Sequence, residues 1–424
     1  MSLETIRSAA AMLAPWGERF AAAGGRRLYV VGGAVRSLLG GSPLGENDDV
    51  DMTTDARPET IRRILTGWAD TVWTQGERFG TVGCRREHRT VEITTHRAEV
   101  YVEGSRRPEV TYGSDLLADL TRRDFTIGAM AFQVPVTAAG AGTVELIDPF
   151  GGREDLAHGR LRTPRSAELS FSEDPLRMLR AGRFVATLGL AADADLETAM
   201  RRLRGRLAIV SAERCARELS LLLVAETPAA GADLLARTGV LAEIVPELVA
   251  TGPDATAGAA LLDSVAAEPS LRLAALLWPV PDVSAVAARL RFPGALARRA
   301  GRIAAAARSL LDVAAAALRD AAVRRWTVAA GEVGPAAVQL AAAAAPTDAG
   351  VVAFVDRWRH LRLREDLLAP PPLSGTEVMA HLGINAGPDV GAALRHLEAL
   401  RIAGGPLDEG EARRRLSEWW KSGR

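Results

Sequence analysis

Short β-branched runs punctuated by glycine fill the first 150 residues, whereas beyond Phe150 apolar residues recur at helical spacing. The run LYVV (28–31) leads into Gly32-Gly33 and then AVRSLLGG, which predicts strand, tight glycine turn and a helix ended by Gly40-Gly41. A second β-like segment carries DDVDM (48–52), and TVGCRRE (81–87) with TVEITT (90–95) has the content of a hairpin. The charged stretch from His96 to Tyr112, with Gly104 inside it, predicts an adjustable loop. An amphipathic helix around LLADLTRR follows, then a β-like FTI, and VELIDPFGG (144–152) predicts a final strand. Leu176, Leu179, Phe184, Leu188 and Leu190 open a helical portion rich in Ala, Leu and Arg that runs to about residue 368. Its breaks fall at Pro246, Pro279, Pro281, Pro293 and Gly334, and APPPL (369–373) ends it. The last segment, LSGTEVMAHLGINAGPDVGAALRHLEAL, predicts two helices joined by a glycine-rich turn. The fold class expected is therefore α+β, a small mixed sheet followed by an all-helical remainder.

Composition narrows the function classes. Of 424 residues 48% are apolar and 25% charged, as in a folded soluble protein of several packed segments. No charge-free apolar stretch of about 20 residues occurs, and the N-terminus lacks the basic-then-apolar order of a secretion signal, so no membrane role is expected. Two cysteines, Cys84 and Cys215, give neither a disulfide framework nor a zinc cluster; a reducing cytoplasm is the expected location. The net charge of zero argues against a generic nucleic-acid coat protein but leaves room for a local basic track. Lys421 is the only lysine, so any phosphate binding must be built from arginine. Between Arg289 and Arg325 arginines outnumber acids; that face either meets an RNA backbone or is simply solvated.

The chemistry concentrates in a few short motifs. In Asp49-Val50-Asp51 the aspartates stand at i and i+2, which on a strand puts both carboxylates on one face. Such a pair repels itself unless a cation sits between, and Mg²⁺ suits that place. Glu92 is the candidate third carboxylate, since Val91 and Ile93 face the other way. Asp48 and Asp55 flank the pair, so a merely acidic turn is the plainer alternative. Gly32-Gly33 offers bare backbone N–H groups at a helix start, and Arg36 lies one turn on, so a triphosphate could rest there. Neither a P-loop nor a dinucleotide fingerprint is present. Arg122-Arg123-Asp124 reads either as a basic helix end or as an arginine for phosphate beside an aspartate for a ribose hydroxyl. In EDPLRMLRAGRF the proline sets a helix start, and Asp174, Arg177 and Arg180 fall at i, i+3 and i+6. That stripe holds internal ion pairs or offers donors and acceptors to a nucleobase edge.

Together these residues resemble the bacterial class II tRNA nucleotidyltransferase and poly(A) polymerase family. The matching stretches are VVGGAVRSLLG, DVDMTTDARPETI, VEITTHRAEVYVEGSRRPEV, LTRRDFTIGAMAF, DPFGGREDL, EDPLRMLRAGRF and SAERCAREL, in the family's order over roughly residues 28–220. The resemblance implies a nucleotidyltransferase head (1–150), a helical neck with base recognition (151–225), an RNA-binding helical body (226–368) and a tRNA-binding tail (369–424). It implies template-independent addition of C, C and A to the 3′ end of tRNA from CTP and ATP. Asp49 and Asp51 would hold two Mg²⁺ ions, with Glu92 a further catalytic carboxylate. Gly32, Gly33, Arg36, Arg123 and Asp124 would take triphosphate and ribose. Asp174 and Arg177 would read the base edge, with Glu173 fixing the arginine and Arg180 nearby. The partner would be the tRNA acceptor arm, with no obligate protein partner. A loop at 96–112 would be the mobile piece that switches from C to A addition.

Three departures stand out. Ser37 replaces the family's aspartate after the arginine of GGxVRD, and Gly128 replaces the asparagine of RRDFTINA, which loosens the adjacent sugar or metal pocket. None of the six histidines forms an HD pair, so no metal-dependent phosphatase activity is expected. The alternatives are a poly(A) polymerase, a partial CC- or A-adding enzyme, and a catalytically degenerate RNA-binding protein.

Overall fold

A computed structural model describes residues 3–45, 48–75, 77, 80–100, 109–112, 115–250, 256–315 and 318–423, with backbone alone for 97–100, 109–112, 249 and 250. The chain divides into two compact units, Met1–Pro246 and Glu247–Arg424.

The first unit opens with α1 (Glu4–Ala21), β1 (Leu28–Val31), α2 (Gly33–Leu39), β2 (Val50–Thr54) and α3 (Pro58–Leu65). Then come β3 (Thr71–Trp73), β4 (Thr81–Arg86), β5 (Arg89–Thr95), β6 (Arg97–Val100), β7 (Glu109–Tyr112), α4 (Leu116–Thr121) and β8 (Ala131–Gln133). Six of these strands make one sheet in the order β3-β4-β5-β2-β1-β8. Only β2 and β5 pair in parallel; the other neighbours are antiparallel. The expected hairpin is β4–β5. One face of the sheet carries Val30, Val50, Met52, Val82, Val91 and Ile93, on which α1 packs Ile6, Leu13, Trp16 and Phe20. On the opposite face Tyr29 and Val31 meet Leu120, Ala129 and Ala131. Strand β1 is thus buried on both sides, which is why LYVV is an unbroken apolar run.

The helical part of this unit is α5 (Gly152–Ala157), β9 (Arg160–Leu161), α6 (Ala167–Glu173), α7 (Leu176–Leu188), β10 (Ala191–Ala192) and α8 (Ala194–Leu203), followed by α9 (Ala212–Leu223), α10 (Pro228–Arg237) and α11 (Val240–Ile244). Helices α7 and α10 cross at two glycines: a Cβ on Gly231 would lie 2.2 Å from the Gly182 carbonyl oxygen.

Three expectations need correction here. VELIDPFGG is not a strand; it contributes one bridge, Ala131 to Ile147. Pro149 lacks a ladder donor, and the Asp148 carboxylate instead accepts from the backbone N–H groups of Gly152 and Arg153 (2.7 and 2.9 Å), starting α5. FTI is a 3-10 turn (Thr126–Gly128), because the Thr126 hydroxyl donates to the buried Asp155 carboxylate at 2.7 Å, a tertiary bond that overrides β propensity. The loop expected at 96–112 is at its base the antiparallel ribbon β6–β7, while Gly104 and the rest of 101–108 lie outside the described residues.

The second unit comprises α12 (Glu247–Ala250), α13 (Ala257–Leu261), α14 (Pro269–Leu276), α15 (Val283–Arg289), α16 (Gly294–Ala314), α17 (Asp320–Ala330), α18 (Gly334–Ala344) and α19 (Ala349–Arg364), then α20 (Gly375–Leu382), α21 (Pro388–Gly404) and α22 (Glu409–Lys421). The expected proline and glycine breaks all fall between helices or at their first turns. The terminal three helices share a small core of Leu373, Val378, Ala393, Leu397, Ala412 and Leu416. Several arginines of the basic stretch have structural employment. Arg308 donates to the carbonyls of Trp278, Val280 and Pro281, and Arg324 makes a buried ion pair with Glu365 at 2.9 Å. Among the described residues no helix is long and apolar enough to cross a membrane.

Candidate active site

The carboxylates gather on the sheet face opposite α1. In the parallel pair β2–β5, Asp51 is the direct partner of Glu92. Both reach the surface between buried neighbours, Val50 and Met52 on one strand, Val91 and Ile93 on the other, although the surrounding protein partly desolvates each carboxylate. Asp49, also exposed, lies two residues before Asp51, at the entry to β2. Burial, and then Asp49, push the Asp51 carboxyl above the ordinary range, against the pull of Arg123. Burial, Asp51 and Asp49 likewise push Glu92 up. The charges are mutually unfavourable and all the donors are oxygens, a combination that fits a hard divalent cation. Among the described residues no three carboxylates, histidines or cysteines form a metal cage of their own. Mg²⁺ does not require one, because it ordinarily combines one or two carboxylates with phosphate oxygens and water.

The turn between β1 and α2 borders these carboxylates. Gly32 has φ 74° and ψ −134°, a conformation for which glycine alone is suited. A Cβ there would sit 3.3 Å from Arg123 Nη1 and 3.6 Å from Asp51 Oδ2, so turn, arginine and acid converge on one spot. Gly33 begins α2, and Arg36 extends from that helix over the Phe184 ring, 5.5 Å from its centre. Burial lowers the Arg36 pKa, Asp124 opposes this and Arg183 reinforces it.

Arg123 is oriented by a residue the sequence reading did not single out. Asp119, fully buried on α4, accepts from Arg123 Nη2 at 3.1 Å and from Arg122 Nε at 3.2 Å. Burial opposes the Asp119 carboxylate, but the two arginines hold its pKa below the usual range. The D-x-x-R-R spacing on a helix was the signal that could have identified it.

Asp124, next in sequence, faces α7. Its Oδ1 accepts from the Phe125 N–H at 3.0 Å, and its Oδ2 accepts from Arg180 Nε (2.8 Å) and Nη2 (2.5 Å). Burial works against this carboxylate too, yet Arg180 above all keeps its pKa low. Gly128 is the near neighbour: a Cβ on it would meet Asp124 Oδ1 at 3.5 Å, an ordinary contact. Ser37, on α2, is exposed. Glu218, from α9, accepts from Arg180 Nη1 at 3.4 Å and from Arg183 Nε at 2.7 Å. Glu218 lies within the SAERCAREL stretch, but nothing local assigns it a partner, and Arg180 is 38 positions away. Phe184, half of an edge-on pair with Phe125, lies under Arg183, Arg36 and Arg180.

The remaining motif residues split. The chain breaks at Pro175, so Asp174 caps α6 in extended backbone and the single polar stripe expected from i, i+3, i+6 spacing does not form. Asp174 remains partly exposed and pairs with Arg214 at 3.4 Å. Arg177 is buried; it donates to the Ser170 hydroxyl (2.8 Å) and to the Arg122 carbonyl (2.6 Å). Glu173 pairs with Arg165 at 2.5 Å and with Arg177 at 3.7 Å. Asp51, Glu92, Gly32, Arg123, Arg36, Asp124 and Arg180 thus form one connected set, and Arg177 ties its helix to that set through the Arg122 carbonyl.

Known proteins share the fold that carries this site. Residues 28–162 match the family model "Poly A polymerase head domain", and 189–251 match "Probable RNA and SrmB- binding site of polymerase A". The CCA-adding enzyme of Geobacillus stearothermophilus is 42% identical over 213 residues, 50% of this chain and 49% of that protein. That of Bacillus subtilis (strain 168) is 40% identical over 200 residues, 47% of each. The chain spans about half the length of the curated relatives it matches. Over the whole fold it is similar to the Bacillus stearothermophilus CCA-adding enzyme solved in complex with CTP, with TM-score 0.72, 29% identity, and 97% and 98% of the two chains covered. The Thermotoga maritima CCA-adding enzyme complexed with tRNA shares the fold at TM-score 0.73 and 19% identity, covering 97% and 98%. The chain belongs to the bacterial class II family of CCA-adding enzymes and poly(A) polymerases.

Proposed function

We propose that this protein adds C, C and A to the 3′ end of tRNA, taking CTP and ATP and releasing pyrophosphate. The observation that carries the reading is the convergence of Asp51, Glu92, the Gly32 turn and Arg123 on one sheet face. Asp49 and Asp51 would hold Mg²⁺, which when bound supplies charge neutralisation at the reacting phosphate and lowers the pKa of the attacking hydroxyl. Glu92 adds a third carboxylate in register with Asp51. The Gly32-Gly33 backbone, Arg36 and Arg123 form a cationic cradle for the triphosphate. Asp124 accepts a ribose hydroxyl beside them. Asp174 and Arg177, steadied by Glu173, with Arg180 alongside, read the base edge, so that protein stands in for a template.

We assign residues 1–150 as catalytic head, 151–225 as neck, 226–368 as RNA-binding body and 369–424 as tail, the last three gripping the acceptor arm. The test is a tRNA transcript lacking its last three nucleotides, incubated with Mg²⁺ and CTP, ATP or both. Products that stop at CCA support the assignment. Long A-tails would make the protein a poly(A) polymerase, a stop at CC or a lone A would make it a partial enzyme, and binding without addition would make it degenerate.

A further inference from the structure

Glu218 has no part in the assignment above, yet it occupies a defined place behind it. It is buried at 6% exposure on α9 and divides its carboxylate between two arginines of α7. One of them, Arg180, directs its Nε and Nη2 at the same oxygen of Asp124, leaving Nη1 to Glu218. The other, Arg183, donates its Nε to Glu218 and lays its guanidinium 4.3 Å from the centre of the Phe184 ring. Asp124 is therefore held at the end of a chain that starts on α9: Glu218, Arg180, Asp124.

The geometry points to Glu218 as a positioning residue for ribose selection. We infer that it fixes the Arg180 guanidinium, which fixes Asp124 Oδ2, so that the carboxylate presents its acceptor lone pairs to a 2′-hydroxyl in one orientation. This rests on the assignment of Asp124 to the ribose. An arginine with two nitrogens on one carboxylate oxygen still rotates about that oxygen unless its third nitrogen is pinned, and Glu218 pins it. A carboxylate free to turn accepts from water as readily as from a sugar, and the discrimination against a sugar lacking the hydroxyl falls. Arg183 matters to the chain because it anchors the other oxygen of Glu218.

The measurement is equilibrium binding of CTP and dCTP to the full chain with Mg²⁺, by isothermal titration, for the parent and for Glu218→Gln. The parent should prefer CTP, and E218Q should lower that preference about tenfold by weakening CTP while leaving dCTP little changed. Glu218→Asp, which keeps the charge, should recover part of the preference. Equal weakening of CTP and dCTP by E218Q would show that Glu218 merely supports the helices, and the inference would be overturned. Should E218Q fail to fold, Arg180→Lys breaks the chain from the other side and must show the same loss; an unchanged preference there overturns the inference. Asp124→Asn separates the premise: if it leaves the preference at the parent's level, the ribose assignment itself is wrong, whatever Glu218 does.

Discussion

Replacing Asp119 by Asn removes one charge from a site where three meet. The carboxylate is fully buried, and its two arginine partners keep 20% of their side chains exposed. Breaking a buried pair from one side costs about 3–5 kcal/mol, mainly because the surviving charge is stranded. Here the stranded arginines retain some solvent, so the lower end, about 3 kcal/mol, is expected. For a unit of this size each kcal/mol moves the melting temperature by about 2–4 °C, which gives a fall of roughly 6–12 °C. The sign with pH is fixed by the depressed pKa. A carboxylate whose folded pKa lies below its unfolded value contributes stability fully above the unfolded pKa, and that contribution disappears as pH falls through the folded one. The parent should therefore exceed D119N in stability at pH 7, and the gap should close on acidification below about pH 4. Unfolding in urea at a series of pH values, followed by far-UV circular dichroism, measures both. A gap that is absent at pH 7, or that persists unchanged to pH 3, would refute the account of Asp119 as the ionised anchor of Arg122 and Arg123.

Gly32→Ala places a Cβ in a conformation that costs of the order of 1–3 kcal/mol and pushes on Arg123 Nη1, so nucleotide addition should fall by more than about tenfold, measured as kcat/KM for CTP. Asp49→Ala with Asp51→Ala should abolish addition while the urea midpoint stays level or rises, since two mutually repelling carboxylates are removed; retained addition would overturn the metal assignment. Burial pushes the thiol of Cys84 up to about 12 and that of Cys215 to about 11, so at pH 8 the thiolate of Cys84 is about one part in ten thousand and that of Cys215 about one in a thousand. A disulfide reagent added to the native chain at pH 8 should release almost no chromophore, and two equivalents after denaturation.

What was legible in the sequence was local. Asp51 and Glu92 each stand between apolar neighbours on a β-branched run, so strand alternation alone placed both on a solvent-facing side. That they face each other depends on the parallel register of β2 and β5, which no short window contains. Arg123 and Asp124 were visible as a motif, but their opposite directions, one toward Asp51 and the other toward α7, follow from packing. The i, i+3, i+6 spacing put Arg177 on one polar stripe with Asp174, but the break at Pro175 separates the two, and the buried bonds of Arg177 run to residues 7 and 55 positions away. Glu218 stood within SAERCAREL, but its tie to Arg180 escaped for the same reason of distance. The misread strand at 144–152 failed on chemistry rather than distance, since Asp148 spends its carboxylate on the next helix.

The parallel pairing of β2 and β5 also dictates when the acidic cluster comes into being. Parallel strands cannot be joined by a tight turn, and here α3, β3 and β4 fill the crossover. As the chain leaves the ribosome, Asp49 and Asp51 emerge some forty residues ahead of Glu92, and for that interval the two aspartates have no opposing carboxylate. The third acid arrives only when β5 slots between β4 and β2, a step that closes a long loop and therefore belongs late in folding. In a nascent or half-folded chain the two aspartates therefore lack the third charge that Glu92 brings opposite Asp51, and the full acidic cluster exists only with completion of the sheet.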